Sequence, residues 1–330
     1  MRFLLALLLA LGWLTQAAAG TTLKIATVSP EGTSWMTSMR AAADEIAKRT
    51  EQRVELRFYP GGVMGNDKAV LRKIRAGQLH GGAVISGALA ELLPDIHIYA
   101  VPFLFRGPEE VAPVRKELDP VLIKRLQGVG LISYGFAEGG FSYLMSKQPV
   151  RTLADMQARK VWAPEGDKIS ETAFAALKIS PISLPLTDVL TGLQSSLVDT
   201  VGASPMAAIA LQWHTQVSSL TEVPLTYVYG TLVIAETALK GVSAADQATL
   251  KEVLTETFVQ LDNRNRSEDR EAMGALKAQG IEFVMPAKAD RTQWETQVAD
   301  AISKLAEGGF FTKGLLPRVQ EILRARRGGG

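Results

Sequence analysis

The residue types that carry out covalent chemistry are sparse in this chain. Cysteine is absent, the three histidines His80, His97 and His214 form no His-Glu-x-x-His pair, and no Gly-x-Ser-x-Gly elbow presents a nucleophile. Thiol chemistry and cysteine-based zinc sites are thereby excluded, and neither an enzyme nor a cofactor is expected. What the chain offers is aromatic and hydroxyl side chains near the ends of predicted strands. Their chemistry is stacking and hydrogen bonding, which suits non-covalent recognition of a small molecule.

Trp162, at the end of a short predicted strand, is the first candidate. Its indole can cover an apolar ligand and donate through Nε1–H. Phe141 and Ser142 follow the glycine pair Gly139-Gly140, and Ser142 can exchange one hydrogen bond. Trp35 opens a predicted helix and faces either a cleft or a core. Asp67 either caps a helix or meets ligand, Ser86 follows a strand and precedes a glycine, and Ser204 before Pro205 reads as both cap and cleft residue. Tyr227 and Tyr229 lie one strand period apart and so share a face.

These residues need a frame, and the pattern of elements supplies one. LKIAT at residues 23–27 alternates as a strand. Trp35, Met36, Met39, Ala43, Ile46 and Ala47 then recur at helical spacing. Strand and helix signals continue to alternate: RVELRFY at residues 53–59, a helix over residues 69–74, and a short buried strand over residues 83–85. This alternation predicts an α/β fold with right-handed crossovers, whose ligands sit in loops beyond the strand ends. A second β–α set runs from Lys160 to Trp213. Residues 227–235 then form a strand returning to the first set, and residues 244–276 hold helical spacing almost without a breaker.

The expected architecture is a two-lobed clamshell. Residues 22–141 with 226–250 make the first lobe, and 142–225 with 277–323 the second. The helix over residues 244–276 spans both. With no cysteine, the fold relies on its cores and not on disulfide bridges.

The N-terminus addresses the chain outward. Arg2 precedes the apolar run FLLALLLALGWL, which ends in Ala17-Ala18-Ala19, the layout of a secretory signal peptide over residues 1–19. The periplasm is the expected location, and no later stretch is apolar enough to cross a membrane. The formal charge of +2 carries no basic cluster interleaved with aromatics, so nucleic acid is not expected as a partner. The basic run Arg324 to Arg327 reads as a solvated end.

Several segments, in order, resemble the DctP-like periplasmic substrate-binding proteins of TRAP transporters. They are Tyr59-Pro60-Gly61-Gly62-Val63-Met64-Gly65, Pro102-Phe103-Leu104-Phe105-Arg106, Lys160-Val161-Trp162-Ala163-Pro164 and Asp188-Val189-Leu190-Thr191-Gly192-Leu193-Gln194. The resemblance implies a receptor that closes on a small organic acid. It would deliver that acid to a membrane permease of small and large subunits, driven by an ion gradient. A periplasmic protein presenting its solute to a signalling partner is the alternative.

The chain also departs from the pattern the resemblance implies. The family's carboxylate-clamping arginine falls at Trp162, a second arginine at Ser142, and the cleft asparagine is missing from Asp199 to Pro205. An indole cannot supply the bidentate fork of a guanidinium. Arg106 and Arg159 are the nearest substitutes. The aromatic and hydroxyl character of the candidates favours an acid with an apolar or aromatic body.

Overall fold

The structure is a computed structural model and describes residues 20–328, so the expected signal peptide lies outside the described residues. The first lobe opens with β1 (Thr21–Thr27), α1 (Ser34–Arg49), β2 (Val54–Tyr59), α2 (Asp67–Arg75) and β3 (Gly81–Ile85). Thr33 caps α1 by accepting from the Met36 N–H, and the buried Met36, Met39, Ala42 and Ile46 form the apolar stripe that seats it. Asn66 caps α2 through the Ala69 N–H, which leaves Asp67 free of the capping role. The one-turn α3 (Ser86–Leu89), the tight helical segment Pro94–Ala100, α4 (Pro108–Gly128) and β4 (Leu131–Ser133) complete this part.

β5 (Ala137–Ser146) leaves for the second lobe. There follow α5 (Leu153–Gln157), β6 (Trp162–Pro164), α6 (Lys168–Ala176), β7 (Ile182–Leu184), α7 (Val189–Gln194), β8 (Thr200–Ala203) and α8 (Pro205–Ala210). β9 (Ser219–Ala235) returns as a 17-residue strand. After it come α9 (Ala244–Ala278), β10 (Glu282–Val284), α10 (Lys288–Glu307) and α11 (Leu315–Gly328).

One sheet runs through both lobes in the order β2-β1-β3-β9-β5-β8, with β4 and β10 also on β9. β1 pairs in parallel with β2 and β3, while β9 is antiparallel to β3 and β5. β9 and β5 are therefore the two strands that carry the chain between lobes. A smaller parallel pair, β6 with β7, lies in the second lobe.

The register of β5 on β9 shifts between Glu138 and Gly140 and again between Ser142 and Leu144. Gly140 takes φ +82 at the first shift, and a Cβ there would come within 2.8 Å of the Asp269 carboxyl carbon. Only glycine suits this bulge. Below it, Phe141 faces Tyr227 and Ser142 faces Thr226. The bulge thus decides which side chains point to which face of the crossing.

α9 is 35 residues long, roughly 50 Å at 1.5 Å per residue. It packs against α1 in the first lobe, β5 at the crossing and α8 in the second, as a spanning helix should. An ion-pair network supports the crossing from behind. Arg115 of α4 meets Asp262 of α9 at 2.7 Å and Asp119 at 2.9 Å, and donates to the Tyr227 hydroxyl at 3.3 Å. The Tyr227 hydroxyl donates to Glu138 Oε2 at 2.7 Å.

The C-terminal boundary differs from expectation. The sequence pattern puts residues 277–323 in the second lobe, whereas α11 packs on α4 of the first. Its buried stripe of Leu315, Leu316, Val319 and Leu323 requires an apolar partner, and α4 provides it. Arg318 pairs with Glu117 at 2.6 Å and Arg327 with Glu110 at 2.7 Å. The basic run is therefore part of a docked helix and not a frayed end. Among the described residues no helix is long and apolar enough to cross a membrane.

Candidate functional site

Where the lobes meet, a cavity of about 290 Å³ is enclosed by residues of both lobes and of the two crossing strands. That is close to the lower size of small-molecule sites. Five of the nine residues picked out from sequence line it: Trp162, Ser142, Asp67, Ser86 and Ser204.

Trp162 is 5% exposed and stands edge-on to Trp213, with ring centroids 5.2 Å apart. The two indoles make an aromatic wall. The indole Nε1–H of Trp162 donates to the Leu184 carbonyl at 3.0 Å, so this donor is already used and the residue offers its ring alone. Ser142 lies beside Gly202, whose missing side chain leaves space for it; a Cβ there would come within 3.1 Å of Ser142 Oγ. Ser204 accepts from the Ala207 N–H at 3.3 Å as the cap of α8, which leaves its hydroxyl proton free to donate.

The other four lie elsewhere. Tyr227 and Tyr229 do share a face, but it is the one turned away from the cavity, while Thr226 and Val228 line it. Phe141 packs with Tyr227 on that rear face, at a centroid distance of 5.5 Å. Tyr229 donates its hydroxyl to the Ile96 carbonyl. Trp35 sits 5.8 Å from the Phe258 ring, in the core formed with α9. These four are scaffold residues in this structure.

The substitute cations are also absent from the cavity. Arg106 is exposed, and its backbone N–H donates to Glu110. Arg159 donates its Nε–H to the Asp155 carbonyl, at the surface of α5. Among the described residues, no arginine lines the cavity. Its one lysine, Lys68, is held by Glu91 at 2.7 Å.

Asp67 is the most perturbed group of the site. It is 7% exposed, its Oδ2 accepts from the Ile85 N–H at 3.1 Å, and its buried Oδ1 has no partner. Burial pushes its carboxyl up to about 6, against the lowering effect of the Ile85 hydrogen bond. Buried carboxylate oxygens are rarely left unpaired, so Oδ1 is a prepared acceptor.

Sequence reasoning missed His97, Asp167 and Trp213. His97 comes from the first lobe and lies 3.6 Å, Nδ1 to Oδ1, from Asp167 of the second, too long for a good hydrogen bond. Asp167 caps α6 by accepting from the Ile169 and Ser170 N–H groups. A single histidine or a helix cap carries no mark in sequence that separates a cleft position from any other. Trp213 is both core and cavity wall.

A cavity between two lobes joined by crossing strands, beneath a helix that spans them, is the architecture of a bilobal solute-binding protein. Comparison with known proteins gives the family. Residues 25–308 match the DctP model, described as bacterial extracellular solute-binding protein, family 7. The chain belongs to this family. The family is one of extracellular solute-binding proteins, so this chain is a solute receptor that works outside the cytoplasm, in the periplasm. The chain is 30% identical over 161 residues to the 2,3-diketo-L-gulonate-binding periplasmic protein YiaO of Escherichia coli. That match covers 47% of this chain and about half, 48%, of the relative.

Two solved structures share the fold. One is the sugar acid binding protein DctPAm of Advenella mimigardefordensis in complex with galactonate. It is 16% identical with a TM-score of 0.85, over 93% of this chain and 98% of that one. The other is a TRAP periplasmic solute-binding protein of Desulfovibrio salexigens with bound orotic acid. It is 18% identical with a TM-score of 0.83, over 92% of this chain and 99% of that one.

Proposed function

We propose that the chain is the periplasmic receptor of a TRAP-type secondary transporter, binding a small organic acid with an apolar or aromatic body. It would hand that acid to a permease made of a small and a large membrane subunit. The observation that carries this reading is the cavity itself. It is lined by both lobes, walled by Trp162 and Trp213, and free of arginine among the described residues. A dicarboxylate or a sugar acid needs a charged partner for its carboxylate, and among the described residues the lining holds no arginine and only a lysine already paired with Glu91. The relatives bound to galactonate and to orotic acid support the acid class, and the aromatic ring of orotic acid is the nearer analogy for such a wall.

A thermal-shift panel of aromatic acids, aliphatic monoacids, C4-dicarboxylates and sugar acids tests the reading. Ligands that bind the folded protein raise its Tm in proportion to their affinity and concentration. Apolar-bodied acids are expected to give the shifts. Shifts confined to dicarboxylates or sugar acids would refute it.

A further inference from the structure

The charge of the cavity is of the wrong sign for a simple anion. Asp67, Glu165 and Asp167 line it, against Lys68, which is neutralised by Glu91. Among the described residues, His97 is the remaining titratable group facing the space. A ligand with a net negative charge would enter a site with a carboxylate excess and give up its hydration for no free cation.

At the same place an acceptor stands waiting. Asp67 Oδ1 is buried and unpartnered, at the end of the cavity formed by the start of α2 and the end of β3. Resting on the reading of an organic-acid receptor, we infer that its solute is a zwitterion: an apolar-bodied acid whose ammonium group binds Asp67 Oδ1. The carboxylate of such a ligand is met by neutral hydroxyls. Ser142 and Thr226 face the cavity from the crossing strands, and Ser204 from the second lobe. Net charge is then conserved without the arginine that Trp162 displaces. The carboxyl of Asp67, pushed up by burial, ionises when the ammonium arrives, so binding releases a proton at mildly acid pH.

Matched pairs of acids, with and without an α-amino group, test the inference by isothermal titration calorimetry on the full mature chain. L-phenylalanine against 3-phenylpropionate and L-leucine against 4-methylpentanoate serve as probes, with phenethylamine as the carboxylate-free control. The amino-bearing member of at least one pair should bind ten-fold or more tighter at pH 7.5, and lose that advantage at pH 5. Asp67→Asn should remove the advantage, bringing the affinity ratio within each pair close to one. Plain acids that bind as tightly as their amino partners, with no effect of Asp67→Asn on the ratio, would overturn the zwitterion and leave the organic-acid reading standing. Phenethylamine binding best would keep the Asp67 contact and overturn the acid. Binding of no probe would count against both.

Discussion

Asp67→Asn is the substitution with the clearest consequence for the unliganded protein. The carboxyl ionises near 3.8 in the unfolded chain and is pushed up to about 6 when folded. Between those values the folded protein holds the proton more tightly than the unfolded chain does. Its stability therefore falls as pH rises from about 4 to 6 and is level above that range. A shift of about two units corresponds to about 3 kcal/mol lost across that window. Asparagine does not titrate, so the variant escapes the loss, but it leaves a buried N–H₂ group unpartnered at a cost of about 1 kcal/mol. At pH 7.5 the variant is expected to be more stable by about 2 kcal/mol, and at pH 4 less stable by about 1 kcal/mol. Asp269, also pushed up to about 6 by burial, contributes the same slope to both proteins and cancels in the difference. Urea unfolding at pH 4, 5, 6 and 7.5 reads the crossing directly. Parallel pH profiles for the two proteins would refute the claim that Asp67 is held ionised against its environment. A gain in stability on removing a charged group from a ligand site is the trade expected of a prepared acceptor.

Four further outcomes are expected. Trp162→Phe keeps an aromatic wall but orphans the Leu184 carbonyl, so it should cost about 1–2 kcal/mol in chemical denaturation and change ligand affinity by less than about five-fold. Trp162→Ala should cost about 3–5 kcal/mol and abolish binding of apolar acids in the same calorimetric assay. Tyr227→Phe removes a hydroxyl shared by Glu138 and Arg115; a loss of about 1–3 kcal/mol with unaltered affinity would mark it as scaffold, whereas lost affinity at unchanged stability would return it to the site. Gly140→Ala forces a Cβ against the Asp269 carboxyl at positive φ and should lower stability by about 2 kcal/mol or more, measured as a shift in the urea midpoint.

The clamshell was legible because its signals are long-range and redundant. Strand and helix patterns alternate along the chain, and the uninterrupted spacing from Ala244 onward yields one helix under both lobes. The site was legible only in part. Trp162 and Ser142 stood out because they replace residues of another chemistry in recognisable segments. The parity of Tyr227 and Tyr229 was plain, but parity does not say which face a strand turns to the cleft, and the bulge at Gly140 resets that choice for Phe141 and Ser142. Asn66 and Asp67 are adjacent and both suit a cap; the geometry of the turn gave the role to Asn66 and freed its neighbour for the cavity. Arg106 and Arg159 carry a suitable charge, yet proximity in sequence to a site residue is no guide to where a surface side chain ends. His97 and Asp167 meet only because the lobes do, and nothing local to either residue records that meeting.

Mass spectrometry of the small molecule released from protein purified without denaturation tests the central claim most directly. An acid with an apolar or aromatic body, carrying an amino group, is the predicted occupant of a cavity walled by Trp162 and Trp213 and closed by Asp67. A C4-dicarboxylate or a sugar acid would contradict the account, because such a ligand demands a cation that no arginine lining the cavity provides.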